Sequence, residues 1–258
     1  RSDNAISNDY LYHNIGDSVI LYTQDGKVLK QEEVSSYPCV GEDRPGLRYF
    51  RSVRTTGLNE NTVVALFSAR PLNTGTSYMK MWMPASSDVS YFTALAPGAK
   101  TASSPYQNKP SLVVTMRKEK PAVKEPFVAV YEPISDKVSA GLIESVDRVK
   151  LDPQGEEGCA IKVNTKEGDT FTLVNILKDG PVILNNQKCC GDFAIFAKRK
   201  GKNSVYVGNG SFVENKEFKV ESENRGSFYM EYDQTSLLVR SNCPIKIQAK
   251  NGMLKEPF

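Results

Sequence analysis

Apolar residues recur at every second position over short runs of this chain, and the three-to-four-residue spacing of an amphipathic helix is almost absent. The alternation predicts strands throughout. In the first half the runs are Val19 to Tyr22, Val63 to Phe67, Tyr78 to Met83, Tyr91 to Leu95, Leu112 to Met116 and Phe127 to Tyr131. Asp25-Gly26 is the clearest hairpin signal among them. Pro126 and Pro133 flank the last run, so it is expected to form one short buried strand bounded by the two prolines. In Tyr78 to Met83, Met79, Met81 and Met83 point one way and Tyr78, Lys80 and Trp82 the other. The methionines are the expected core face, which leaves Trp82 either packed under a loop or offered to a ligand. Pro97 to Pro110 is too rich in Pro and Ser for regular structure and reads as a long ordered loop with Tyr106 at its middle.

The pattern restarts after the polar stretch Ser135 to Ser139. Leu142, Ile143, Val146, Val149 and Leu151 open a second series that continues through Ile161 to Val163, Phe171 to Val174, Phe193 to Ala197, Val205 to Val207, Phe218 to Val220, Phe228 to Tyr232, Leu237 to Val239 and Ile245 to Ile247. Between these runs lie Glu167-Gly168-Asp169, Gly201-Lys202-Asn203, Gly208-Asn209-Gly210 and Arg225-Gly226, each suited to the positive φ of a tight turn. The expected fold is all-β: a larger antiparallel β-sandwich over residues 1–140, followed by a smaller β-sandwich domain over 141–258.

Composition narrows the function classes. The 258 residues are 40% hydrophobic, enough for a real core, and 33 basic against 30 acidic residues give a net charge of +3. That balance carries no nucleic-acid signature, so any polyanion site must be local. No apolar run approaches the roughly 18 residues of a membrane-spanning helix, and membrane insertion is not expected. The chain opens on Arg1 with no charged-then-apolar leader, as expected of a processed protein or an excised fragment. Cys39, Cys159, Cys189, Cys190 and Cys243 show no CxxC spacing; small buried thiols are the simplest reading, with a disulfide from Cys159 to one of the vicinal pair left open.

Candidate chemistry is sparse. His13 is the sole histidine, so a triad or histidine-based metal site within this chain would depend on it alone. It reads as a structural residue at a strand end or, with Tyr12, as an acid/base candidate; Tyr10, Tyr12, His13 and Asn14 are the residue types used in eliminative cleavage of a uronate polysaccharide. Arg44, Arg48, Arg51 and Arg54 crowd one segment beside Tyr49 and Phe50, either as an acidic-glycan surface or as a charged edge that discourages aggregation. Lys198, Arg199, Lys200 and Lys202 read as a solvated hairpin tip. GxxxxGK[ST], HExxH, GxSxG and EF-hand motifs are absent from the sequence, and no cofactor is expected.

Five segments, Asn8 to Asp17, Pro45 to Phe50, Met79 to Pro84, Tyr91 to Pro97 and Pro126 to Pro133, resemble in order the β-sandwich region of heparinase II/III-like proteins. The second half resembles the smaller β domain that closes those chains. The resemblance implies a polysaccharide lyase whose N-terminal helical toroid supplies most of the catalytic residues, with this chain as its C-terminal all-β portion. It also implies that the helical domain is a partner, that an acidic polysaccharide is the substrate and that the location is periplasmic or extracellular. A structural metal ion in the parent family is left open by it. The chain alone is expected to be inactive, with Arg48, Arg51, Arg54, Trp82 and Tyr106 as substrate contacts and His13 and Tyr12 as the only catalytic candidates. The alternatives are a stand-alone glycan-binding module and a surface adhesion protein.

Overall fold

The computed structural model of the chain describes residues 19–35, 49–69, 77–96, 111–118, 126–134, 141–152, 158–176 and 180–250. The described residues contain strands and no α-helix, and every strand pairing is antiparallel, as the alternation predicts. The chain divides into two compact units, residues 1–120 with 127–142, and residues 121–126 with 143–258.

Unit 1 holds two four-stranded sheets. The first runs in the order β1 (Ile20–Thr23), β4 (Val63–Ala69), β5 (Ser77–Met83), β8 (Val130–Ile134), and the second in the order β2 (Glu32–Glu33), β3 (Arg51–Leu58), β6 (Val89–Ala96), β7 (Ser111–Lys118). Leu21, Val63, Ala65, Met81 and Met83 from the first sheet share one core with Val89 and Tyr91 from the second. Met81 and Met83 are therefore core residues, as their alternation predicts. The Asp25-Gly26 hairpin forms with Gly26 at φ 89°, and Tyr22 bridges Val28 across it.

The strand expected at Phe127 to Tyr131 is displaced. β8 begins at Val130 and runs through Pro133, while Phe127 and Tyr131 are exposed. The prolines do not bound it because β8 lies at the edge of its sheet, where a residue without an N–H leaves no ladder bond unmade.

Unit 2 is a single ten-stranded sheet folded back on itself. Its strands are β9 (Ile143–Val149), β10 (Gly158–Thr165), β11 (Thr170–Ile176), β12 (Val182–Leu184), β13 (Gln187–Cys190), β14 (Phe193–Arg199), β15 (Lys202–Glu214), β16 (Phe218–Tyr232), β17 (Leu237–Ser241) and β18 (Lys246–Ala249). The first half of β15 pairs with β14 and with the last residues of β16, which also pair with β17. The second half of β15 pairs with β13 and with the opening residues of β16, which also pair with β18. Two layers result. Val205, Val207, Phe228 and Met230 from one layer pack in the same core as Val213, Phe218, Val220 and Leu184 from the other.

Gly208-Asn209-Gly210 and Arg225-Gly226 thus do not terminate strands, contrary to the sequence expectation. They are the bends at which β15 and β16 cross from one layer to the other, and the register shifts on both sides of Gly210. A straight strand of fifteen residues would span roughly 45–50 Å, yet the rings of Phe218 and Tyr232, at the two ends of β16, lie 5.0 Å apart. Glycine is required at Gly210 because a Cβ would collide with the Cys190 carbonyl oxygen and the Val207 side chain. Arg225 secures the bend, donating to Asp192 at 2.5 Å and to the Asn209 carbonyl at 2.9 Å, while the Asn209 amide donates to Asp192 at 2.7 Å.

Candidate functional site

β3 carries the two described arginines of the basic segment, and its register decides where they point. The four residues Arg51 to Arg54 stand opposite the three from Leu95 to Thr93, so one extra residue bulges out, and Ser52 there takes a positive φ of 50°. In an unbroken strand, positions three apart lie on opposite faces. The bulge restores them to the same side: Arg51 and Arg54 pair with Leu95 and Thr93, which share one face of β6. Phe50 and Val53, also three apart, both pack on the cluster formed with Phe92 and Ala94 on the other face. Arg51 and Arg54 are both exposed, Tyr49 is 67% exposed beside them, and Glu33 stands directly across from Arg54. This one-sided pair of guanidinium groups has the geometry to engage a carboxylate or sulfate.

Trp82 takes the buried one of its two open placements, at 3% exposure. Its indole N–H donates to Glu132 at 3.0 Å. Glu132, itself 6% exposed, also accepts from the backbone N–H of Leu142, and a Cβ at Gly141, whose φ is +68°, would strike its carboxylate. The ammonium of Lys80, which pairs with Glu132 across the strands, lies 5.7 Å from the Trp82 ring. Burial, and secondarily the charge on Glu132, pushes the Tyr22 phenol up to about 12. Tyr22 is therefore held protonated at neutral pH, the wrong direction for a group that must take a proton. The cluster binds strands together and offers no proton-transfer pair.

Glu132 has a weak sequence signal, a lone acid beside a proline in an apolar run, that alternation alone does not single out. His13, Tyr12, Arg44, Arg48 and Tyr106 lie outside the described residues. The Lys198–Lys202 tip is tied down in part, with Arg199 paired to Asp169 at 3.3 Å and Lys202 to Glu231 at 3.0 Å. Cys159, Cys189, Cys190 and Cys243 are free thiols, and burial pushes Cys189 up to about 12. Among the described residues, no group of three or more His, Cys, Asp or Glu side chains could hold a metal ion, and no helix is long and apolar enough to cross a membrane.

No protein-family model matches the chain. No solved structure matches it. In an alignment 232 positions long that covers 86% of the chain, it is 31% identical to an endo-acting ulvan lyase of Formosa agariphila. The chain spans 28% of the length of that protein. This similarity relates the chain to a polysaccharide lyase.

Proposed function

We propose that the chain is the β-rich portion of a heparinase II/III-like polysaccharide lyase, non-catalytic by itself, which supports a separate helical catalytic domain and helps position an acidic polysaccharide. The observation that carries the reading is the match to the ulvan lyase, long enough to take in residues of both units. The described side chains agree with a supporting role: the half-buried Tyr22 and the buried Trp82 and Glu132 are engaged in packing and hydrogen bonds, and the exposed Arg51 and Arg54 share one side of a strand. Ulvan is the polysaccharide to try first. The same reading places the protein in the periplasm or outside the cell, where such polymers are met.

The test uses the chain as it stands. Incubated with ulvan it should release no unsaturated product absorbing in the ultraviolet, and it should bind ulvan in a salt-sensitive manner. Arg51→Glu with Arg54→Glu should reduce that binding at least ten-fold. Cleavage by the chain alone would overturn the non-catalytic reading, and binding indifferent to the charge reversal would overturn the role given to β3.

A further inference from the structure

The fold-back of unit 2 leaves a cleft at the end of the sandwich where its two layers meet. It has a volume of about 230 Å³ and is lined by Asn185, Asn186, Gln187, Asn203, Asn215 and Tyr232, with Lys216 and Glu217 at the same turn. A second lobe of about 160 Å³ continues from Glu217 and Tyr232 over Met230, Leu237 and Ile247. Three separate segments bring the amides together: the β12–β13 hairpin, the start of β15 and the β15–β16 turn.

Two groups in the lining serve the fold. The Asn215 carbonyl oxygen accepts the backbone N–H groups of Glu217 and Phe218 at 2.8 and 2.9 Å, and its amide nitrogen donates to the Tyr232 hydroxyl at 3.1 Å. Asp233, which lines the second lobe, is occupied by the backbone N–H groups of Thr235 and Ser236, each at 2.8 Å. The side-chain amides of Asn185, Asn186, Gln187 and Asn203 are different: none has a hydrogen-bond partner among the described residues.

Exposed amides are solvated by default, so their convergence has to be explained. Asn185 and Asn186 occupy the two positive-φ positions of a tight hairpin, at 45° and 66°, a conformation asparagine tolerates. That demand would be met as well by glycine at 186, and it does not reach Gln187 or Asn203, both half-buried within strands. Four neutral amides offer both donors and acceptors and no net charge, which is the complement of sugar hydroxyls rather than of sulfate or carboxylate. The adjoining apolar lobe suits the C–H face of a ring. At below the roughly 300 Å³ of an enclosed ligand pocket, the cleft fits one unit of a chain lying across its mouth.

We propose that this end of unit 2 is a glycan subsite, in which Asn185, Asn186, Gln187 and Asn203 grip the uncharged hydroxyl face of one sugar unit. The choice of a sugar over another polyhydroxyl ligand rests on the polysaccharide reading above; the cleft itself does not. The probe is an ulvan oligosaccharide chemically stripped of its acidic groups, titrated calorimetrically into the whole chain. Binding should be insensitive to added salt, since no charge is engaged. It should weaken at least ten-fold in the combined variant Asn186→Gly, Gln187→Ala, Asn203→Ala, which keeps the positive-φ turn, and stay unchanged in the Arg51→Glu, Arg54→Glu protein. Side-chain amide resonances of the four residues should shift in the wild type on titration. No binding of the stripped oligosaccharide, or equal binding by an amide variant whose melting midpoint is preserved, overturns the subsite. Loss of intact-ulvan binding on charge reversal, with the stripped probe unaffected, would leave both proposals standing; intact-ulvan binding unchanged by charge reversal, with the stripped probe still bound, would remove only the role of β3.

Discussion

The indole N–H of Trp82 and the carboxylate of Glu132 meet at 3.0 Å inside unit 1, on neighbouring strands, 50 positions apart in sequence. The carboxylate also takes the N–H of the exposed Leu142, so removing it strands one buried donor, the indole, and leaves the other to solvent. A buried unpaired donor costs about 1–3 kcal/mol. Glu132→Ala should therefore destabilise unit 1 by about 1–3 kcal/mol, and Glu132→Gln, which keeps one acceptor, by less. Trp82 is the sole tryptophan, so a urea titration followed by its fluorescence reads this unit directly. An unchanged midpoint for the alanine variant would show that the pair contributes nothing.

The bulge at Ser52 makes a prediction about placement. Deleting Ser52 would remove the extra residue and leave Arg51 and Arg54 two apart in a plainly alternating strand, still on the side opposite Phe50 and Val53. Salt-sensitive ulvan binding should survive the deletion, and a several-fold fall would show that the bulge does more than set the side of the two arginines. Ser52→Gly should leave binding intact, since glycine accepts the positive φ freely. Affinity electrophoresis at two salt concentrations compares the three proteins.

Gly210 sits where two strands approach too closely for any side chain. Gly210→Ala must move the Cys190 backbone or the Val207 side chain, and overpacking of this kind costs about 1–3 kcal/mol. The expected result is a lower urea midpoint for unit 2 by circular dichroism, with the Trp82 fluorescence transition unmoved. Equal loss in both signals would argue against a local collision.

Alkaline pH should weaken unit 1 through Tyr22. Its phenol is raised in the folded protein from the ordinary value of 10.0 to about 12, so the neutral form is favoured by folding. That stabilisation is complete below about pH 10, where the unfolded chain also keeps its proton, and it is lost as pH rises through about 12. Tyr22→Phe should flatten the alkaline fall in the urea midpoint. A fall of the same steepness in the variant would assign the effect to other groups.

Thiol chemistry separates the vicinal cysteines. Cys189 is buried and its thiol is pushed up to about 12, chiefly by burial, whereas Cys190 on the opposite face is half-exposed. Iodoacetamide on the native protein should modify Cys190 ahead of Cys189, with Cys189 reacting only once unit 2 unfolds. Peptide mapping by mass spectrometry gives the order, and simultaneous labelling of both would contradict the burial.

Alternating apolar residues were enough to give the all-β fold, the core side of Met81 and Met83 and the Asp25-Gly26 hairpin, because side-chain period and turn conformation are properties of a few consecutive residues. The side on which Arg51 and Arg54 lie was not legible, since one bulged residue reverses it and depends on the pairing with β6. Gly208 to Gly210 and Arg225-Gly226 carry the same composition whether they end a hairpin or bend a long strand. Only the partners on either side of each bend, β14 then β13 along β15 and β18 then β17 along β16, distinguish the two. The same fold-back, between residues far apart in sequence, gathers Asn185, Asn186, Gln187 and Asn203 into one cleft. Local chemistry thus determined which residues form strands, and long-range pairing decided which strands meet and what lies between them.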